Sequence, residues 1–257
     1  MTDHRRVLLV TRGDDMGAFQ AGNLAIMDAF RNGILRNASI MVSAPYAQQA
    51  AALVKHEHDL CLGLHITLTS EWDTPRWGPV SSPDAVPSLL DRDGCFFRTP
   101  MELYEREVRI EEMMREVRAQ LERARALGLD IRYIDEHMGV GWLLSPPAER
   151  RLSDALRELS QQEGLLWHKD VPLKFLACTS AAELQQTLQE LTAGSYLLIT
   201  HPAYESEEMR KVVGYSAPVV GQIARVREND YRMLCHPEVL KTIQEKAIAV
   251  LRYDECG

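Results

Sequence analysis

The sequence predicts an α/β protein with mostly parallel strands, and two observations carry that prediction. Compact apolar runs alternate with stretches of helical periodicity through roughly the first seventy residues. Four of those runs, spread over the whole chain, end in or carry polar residues capable of chemistry.

Arg6 to Thr11 (RVLLVT) is an uninterrupted apolar, β-branched run, the pattern of a parallel strand buried on both faces. It stops at Arg12-Gly13-Asp14-Asp15. Asn23 to Asn32 has apolar residues at helical spacing, with Gly33 as a stop. Ala38 to Val42 predicts a second strand, Ala47 to Lys55 a helix and Leu60 to Leu68 a third strand carrying His65. Residues 70–100 break the alternation with a proline-dense stretch holding Trp72, Trp77, Phe96 and Phe97. Long irregular excursions in compact domains are uncommon and often functional, so this one is expected to act as a lid or wall over the site. Pro100 to Leu127 predicts one long amphipathic helix ended by Gly128. Ile131 to Ile134 predicts a strand running into Asp135-Glu136-His137. A helix follows over Pro147 to Gln162, a short strand over Leu165 to Trp167, and a helix over Ala181 to Leu191. Tyr196 to Thr200 predicts a strand reaching His201-Pro202, before a last helix over Pro237 to Glu245 and a last strand over Ile248 to Leu251. With no repeat or flexible linker, residues 1–257 are expected to form a single domain.

Composition narrows the function. The chain has 257 residues, of which 46% are hydrophobic and 26% charged, and a net charge of −8. An acidic chain without a Lys/Arg stripe is not expected to bind nucleic acid. The arginines from Arg115 to Arg125 alternate with Glu112, Glu116 and Glu122 and suggest a solvated helix face. The five cysteines are an odd count without metal-motif spacing, as expected of free thiols in a reducing cytoplasm. The opening apolar run is too short for a signal peptide, and no stretch is long and apolar enough to span a membrane. A cytoplasmic, membrane-free location is expected, with a homodimer left open.

The carboxyl ends of parallel strands gather on one face, where ligands bind. Residues as distant in sequence as Asp14, Asp15, His65, His137 and His201 are therefore expected to meet. Two imidazoles and a carboxylate make a three-ligand metal site with open positions for water and substrate, and His65, His137 and one of Asp14 and Asp15 supply that set. Zinc suits it, with magnesium and other divalent ions as alternatives. One divalent ion there would activate water and polarise a carbonyl. The other carboxylate of the Asp14-Asp15 pair then stays free to serve as general base, and another histidine as general acid. Asp135 is expected to orient a ligating histidine from behind. His56 and His58 look like an exposed polar patch, and His168 is a secondary candidate at a strand end.

The Asp14-Asp15 pair, Gly63-Leu64-His65, Asp135 to His137 and His201-Pro202 come in an order that resembles the YdjC family of carbohydrate deacetylases, which includes the chitooligosaccharide deacetylases. The segment from Arg225 to Leu251 resembles that family's closing segment, so the likeness runs from residue 6 to about residue 252. The resemblance implies a (β/α)-barrel-like fold and metal-dependent removal of an N-acetyl group from a sugar. It implies Asp15, His65 and His137 as metal ligands, Asp14 as base and His201 as acid. The chain departs from the family pattern at Arg12-Gly13, where Asn-Ala is usual, and at Met138 to Val140, where a second histidine is usual. It departs again at Ala203-Tyr204, where glycine follows His-Pro. Arg12 and Arg76 would suit an anionic group, and Trp72, Trp77 and Tyr204 would suit stacking on sugar rings. Two alternatives stand beside the deacetylase reading: a metal-dependent hydrolase of phosphate esters or cyclic amides, and a non-catalytic carbohydrate or metabolite binding protein. The partner in each case is a small molecule.

Overall fold

A computed structural model describes residues 6–106, 108–143, 146–214 and 217–256. Eight parallel strands form one sheet: β1 (Val7–Met16), β2 (Asn37–Ile40), β3 (Cys61–Ile66), β4 (Ile131–Glu136), β5 (Leu166–Trp167), β6 (Lys174–Leu176), β7 (Gly194–Thr200) and β8 (Ala249–Leu251). Seven run in the order β5-β4-β3-β2-β1-β7-β6, and β8 joins the amino-terminal half of β1. Among the described residues no ladder joins β5 to β6, so the sheet curls into an open half-barrel. The parallel α/β reading and its barrel-like form hold.

The helices are α1 (Gln20–Asn32), α2 (Ala47–Val54), α3 (Pro100–Glu105), α4 (Ile110–Ala126), α5 (Val140–Leu143), α6 (Pro146–Gln162), α7 (Ala181–Glu190), α8 (Glu207–Arg210), α9 (Gln222–Leu234) and α10 (Pro237–Glu245). The single helix expected over Pro100 to Leu127 is two. Arg109 is extended (φ −82°, ψ 126°), and each part has its own anchor: α3 buries Leu103, while α4 buries Met113, Val117, Leu121 and Ala124. The expected solvated face of α4 is also corrected, because Glu112 and Glu116 are buried. Glu116 accepts from the Val80 and Ser81 amides at 2.9 Å each, and Glu112 from the Ser88 amide at 2.8 Å. These carboxylates replace the missing ladder partners of the 70–100 excursion and pin it to the helix.

Side chains two apart on a strand share a face, and the inner face of the half-barrel is built in layers. At the floor Val10, Cys61, Tyr133 and Tyr253 form a small apolar cluster. Further along the same inward face come Arg12 and Asp14 on β1, Ser39 on β2, and His65 on β3 opposite Asp135 on β4, with His137 just past the end of β4. Gly63 is required here: a Cβ at that position would lie 2.1 Å from the Tyr133 ring, which fills the space over it. The outward residues of the same strands, Leu9, Ile40, Leu62, Leu64 and Ile134, belong to the main core beneath the helices.

Candidate metal centre and cleft

The acidic pair lies inside β1, not after it. The register of β1 against β2 shifts between Gly13 and Met16, and Asp15 has a left-handed φ of 62°. Such a conformation is costly for a residue with a Cβ and persists where the surroundings hold it. The irregularity separates the two carboxylates. Asp14 turns to Arg12, which grips it with two bonds, Nε to Oδ1 at 2.6 Å and a terminal nitrogen to Oδ2 at 2.7 Å. Asp15 turns to the histidines.

Asp15 Oδ1 lies 3.5 Å from His65 Nε2 and 3.2 Å from His137 Nδ1. It is buried and accepts no hydrogen bond. The other atom of each group is already held. His65 Nδ1 is 3.1 Å from Asp135 Oδ1, and His137 Nε2 is 2.9 Å from Glu71 Oε2. Arg227 donates to Asp15 Oδ2 at 2.6 Å. One unshared atom of each residue therefore faces a common point, the disposition a metal ion requires. Asp14, His65 and Asp135 also lie close enough to form a ligand group, but the Arg12 guanidinium occupies it, with a nitrogen 2.9 Å from Asp135 Oδ2.

The electrostatics agree. Burial opposes the charge on His65, yet Asp135 and Asp14 outweigh it and push the imidazole up to about 10. Burial likewise opposes the charge on His137, while Glu71 and Asp15 push it up to about 9. Asp15 is held well below the usual carboxylate range against its burial by Arg227 and the two histidines. Asp135 is held down by Arg12 and His65 despite complete burial. The pocket has an excess of negative charge that protons or a cation must neutralise.

A cleft of about 300 Å³ opens over this centre, lined among others by Asp14, Asp15, Glu71, Trp72, Glu136 and His201. Its outer wall comes from α9, with Ile223, Val226, Arg227 and Asp230. Burial raises the Asp230 carboxyl above its usual range, opposed by the His201 amide, which donates to its Oδ2 at 2.8 Å. Of the five residues expected to meet substrate, only Trp72 lines the cleft. Arg12 is buried beneath the centre between Asp14 and Asp135. Arg76 is held by Asp91 and the Phe96 carbonyl. Trp77 is buried with its indole N–H on the Thr69 carbonyl, its ring 6.3 Å from that of His137. Tyr204 donates to Asp28 on α1. His56 and His58 are exposed, as expected, and His168 is 3.9 Å from Glu136 behind the cleft wall. Glu71, Glu136, Arg227 and Asp230 were not read from the sequence.

The fold is a parallel α/β half-barrel with a candidate Asp-His-His metal cradle at the carboxyl ends of its strands, and the cleft above the cradle is open to a small molecule. Comparison with known proteins identifies the family. The sequence model of the YdjC-like proteins matches residues 8–160, and the chain belongs to that family. Carbohydrate deacetylases are among its relatives. That of Thermoanaerobacter pseudethanolicus is 27% identical over 95% of this chain and 97% of its own. That of Thermus thermophilus is 30% identical over 94% and 90%. A structure from Enterococcus faecalis V583, described as a cellobiose-phosphate cleavage protein, has a TM-score of 0.81 at 21% identity, covering 97% of this chain and 98% of that one. A peptidoglycan N-acetylglucosamine deacetylase shares the fold more distantly, with a TM-score of 0.50 at 12% identity over 98% and 89%.

Proposed function

We propose that the protein is a metal-dependent carbohydrate deacetylase: it hydrolyses the N-acetyl amide of a sugar to acetate and a free amine. The observation that carries this reading is the unshared Asp15 Oδ1 facing His65 Nε2 and His137 Nδ1 below an open cleft. Full-length relatives named carbohydrate deacetylases support it.

Asp15, His65 and His137 would hold the ion. Two imidazoles and a carboxylate are a donor set that suits zinc. An ion held there would supply Lewis-acid polarisation of the acyl carbonyl and a water of lowered pKa. Asp135 and Glu71 fix the two imidazoles as the tautomers whose free nitrogens face inward. Arg227 holds Asp15 Oδ2, leaving Oδ1 to ligate. Asp14, aimed by the Arg12 fork, takes the proton of the attacking water. His201 gives a proton to the departing amine. Trp72 contributes a ring at the cleft wall, and the excursion over about 70–100 serves the single catalytic domain by supplying Glu71 and Trp72. The five free cysteines support a reducing, cytoplasmic location. No described helix is long and apolar enough to cross a membrane.

The test is acetate release from N-acetylated sugars by zinc-loaded protein, beside Asp14→Asn. Turnover should fall about 10²- to 10⁴-fold in the variant while metal content stays at one ion per chain. Sugar binding without acetate release in either protein would instead support the non-catalytic alternative.

A further inference from the structure

Arg227 is a buried cation with a terminal nitrogen 2.6 Å from Asp15 Oδ2. By taking that oxygen it leaves Oδ1 to the ion, so the aim of the metal-ligating carboxylate depends on where the guanidinium stands. Two aromatic rings stand against it. The guanidinium carbon lies over the Phe19 ring, 5.4 Å from its centroid, and over the Trp72 ring, 5.7 Å from its centroid. The negative face of an aromatic ring attracts a guanidinium within about 6 Å, and more strongly where water is excluded. Phe19, Trp72 and Arg227 are all buried.

Each of the three side chains comes from a different element and is fixed there locally. Phe19 is the residue before α1, extended at φ −138° and ψ 146°, a place where a small polar side chain ordinarily caps the helix. Phe19 makes no such bond. The capping task falls to Glu208 of α8, which accepts from the Gln20 and Ala21 amides at 3.4 and 3.2 Å. Position 19 can therefore carry a ring, which packs in the main core as well as against Arg227. Trp72 belongs to the 70–100 excursion and is bridged to Gly214 in antiparallel fashion. A Cβ at Gly214 would lie 3.1 Å from Trp72 Cε3, so glycine lets that segment close on the edge of the indole. Arg227 enters from α9, and its carbonyl accepts from the Ala203 amide at 3.1 Å.

We propose, on the metal-dependent reading above, that Phe19 and Trp72 are positioning residues for the metal centre: their ring faces hold the Arg227 guanidinium against Asp15 Oδ2 and so keep Oδ1 turned to His65 Nε2 and His137 Nδ1. Asp15 has a left-handed backbone that its surroundings must hold, and the two rings steady the cation that aims its side chain. Phe19 is not among the described residues lining the cleft, so its influence on the ion passes through Arg227. Trp72 does line the cleft, so one ring serves both the wall that meets the sugar and the support of a metal ligand.

A double-mutant cycle tests this. Zinc affinity of the full chain is measured by chelator competition at one pH for the wild type, Phe19→Leu, Arg227→Met and the double variant. Phe19→Leu should weaken zinc roughly 3- to 10-fold. The same substitution in the Arg227→Met background should change zinc affinity little, whatever the direct effect of removing Arg227. A ring that served packing alone would lower the melting temperature in both backgrounds and leave zinc affinity where it was. Trp72→Phe, which keeps a ring face, should hold zinc as the wild type does, while Trp72→Leu should lose about as much as Phe19→Leu. The Trp72 pair decides the question if Phe19→Leu fails to fold. Unchanged zinc affinity in Phe19→Leu or Trp72→Leu, equal losses with and without Arg227, or equal losses in Trp72→Phe and Trp72→Leu would overturn the proposal and leave the metal centre standing. A wild type that takes up no zinc would remove the metal-dependent reading and this proposal together.

Discussion

Metal binding should be coupled to the release of two protons. In the metal-free protein His65 is pushed up to about 10 and His137 up to about 9, so both imidazoles carry protons at neutral pH. Their inward nitrogens, Nε2 and Nδ1, are the atoms an ion must take. Each ion therefore displaces two protons throughout the range below about pH 8. The apparent association constant should rise about 100-fold per pH unit, or roughly 2.7 kcal/mol at about 1.36 per proton. Ordinary imidazoles, titrating near 6.5, would give no slope above about pH 7.5. Chelator competition at pH 6, 7 and 8 measures the slope, and calorimetry in buffers of different ionisation enthalpy counts the protons directly. A slope near zero between pH 7 and 8 would refute the claim that Asp135, Asp14 and Glu71 outweigh burial. Stability has a matching sign. Folded pKa values above the unfolded ones stabilise the metal-free protein below about pH 6.5, and that contribution is lost as pH rises through 9 and 10. Metal-free protein should thus melt at lower temperature at pH 9 than at pH 6.5, and this difference should shrink once zinc is bound.

Three substitutions test the surrounding shell. Glu71→Gln removes the carboxylate behind His137 Nε2 and should weaken zinc about 10- to 100-fold by chelator competition, an effect that full zinc affinity in the variant would exclude. Arg227→Met leaves the buried Asp15 Oδ2 without its cation and should destabilise the metal-free protein by about 3–5 kcal/mol in denaturant unfolding, with part of that loss recovered by zinc. Gly63→Ala places a methyl 2.1 Å from the Tyr133 ring and should cost about 1–3 kcal/mol or more. An unchanged melting temperature would show that the ring can yield.

How far the sequence could be read follows from which residues keep a period. The strands and most helices were legible because their apolar runs are unbroken, and Asp15, His65 and His137 were legible because each lies at or near a strand end. α9 was missed because Arg227 occupies an inward position among Ala224, Met233 and Leu234, so a charged residue interrupts the apolar stripe. β6 was missed because only Leu176 of its three residues is buried. Glu71 and Asp230 carry no local signal, since each acquires its role from a partner far away in sequence. The excursion was legible as irregular, but its anchoring by buried Glu112 and Glu116 was not. Those residues have the spacing of a solvated face and differ from one only in meeting amides of residues 80–88.

Arg12 shows why residue type alone misleads at such a site. Read beside Asp14 in one dimension, it is a free cation suited to an anionic substrate. In the half-barrel, strand alternation places Arg12 on the same inward face as Asp14, two residues before it and within reach of Asp135. There its fork holds Asp14 and its remaining nitrogen reaches Asp135. Each cation thereby assigns a task to a carboxylate. Asp14, the proposed base, is gripped by Arg12, Asp135 is shared between Arg12 and His65, and Asp15 keeps one oxygen unshared while Arg227 takes the other. Exchanging Arg12 for a neutral residue would leave Asp14 and Asp135 without their common cation in a buried layer, so its effect should appear in stability and kcat together, and not as the selective rise in KM expected of a substrate-binding arginine.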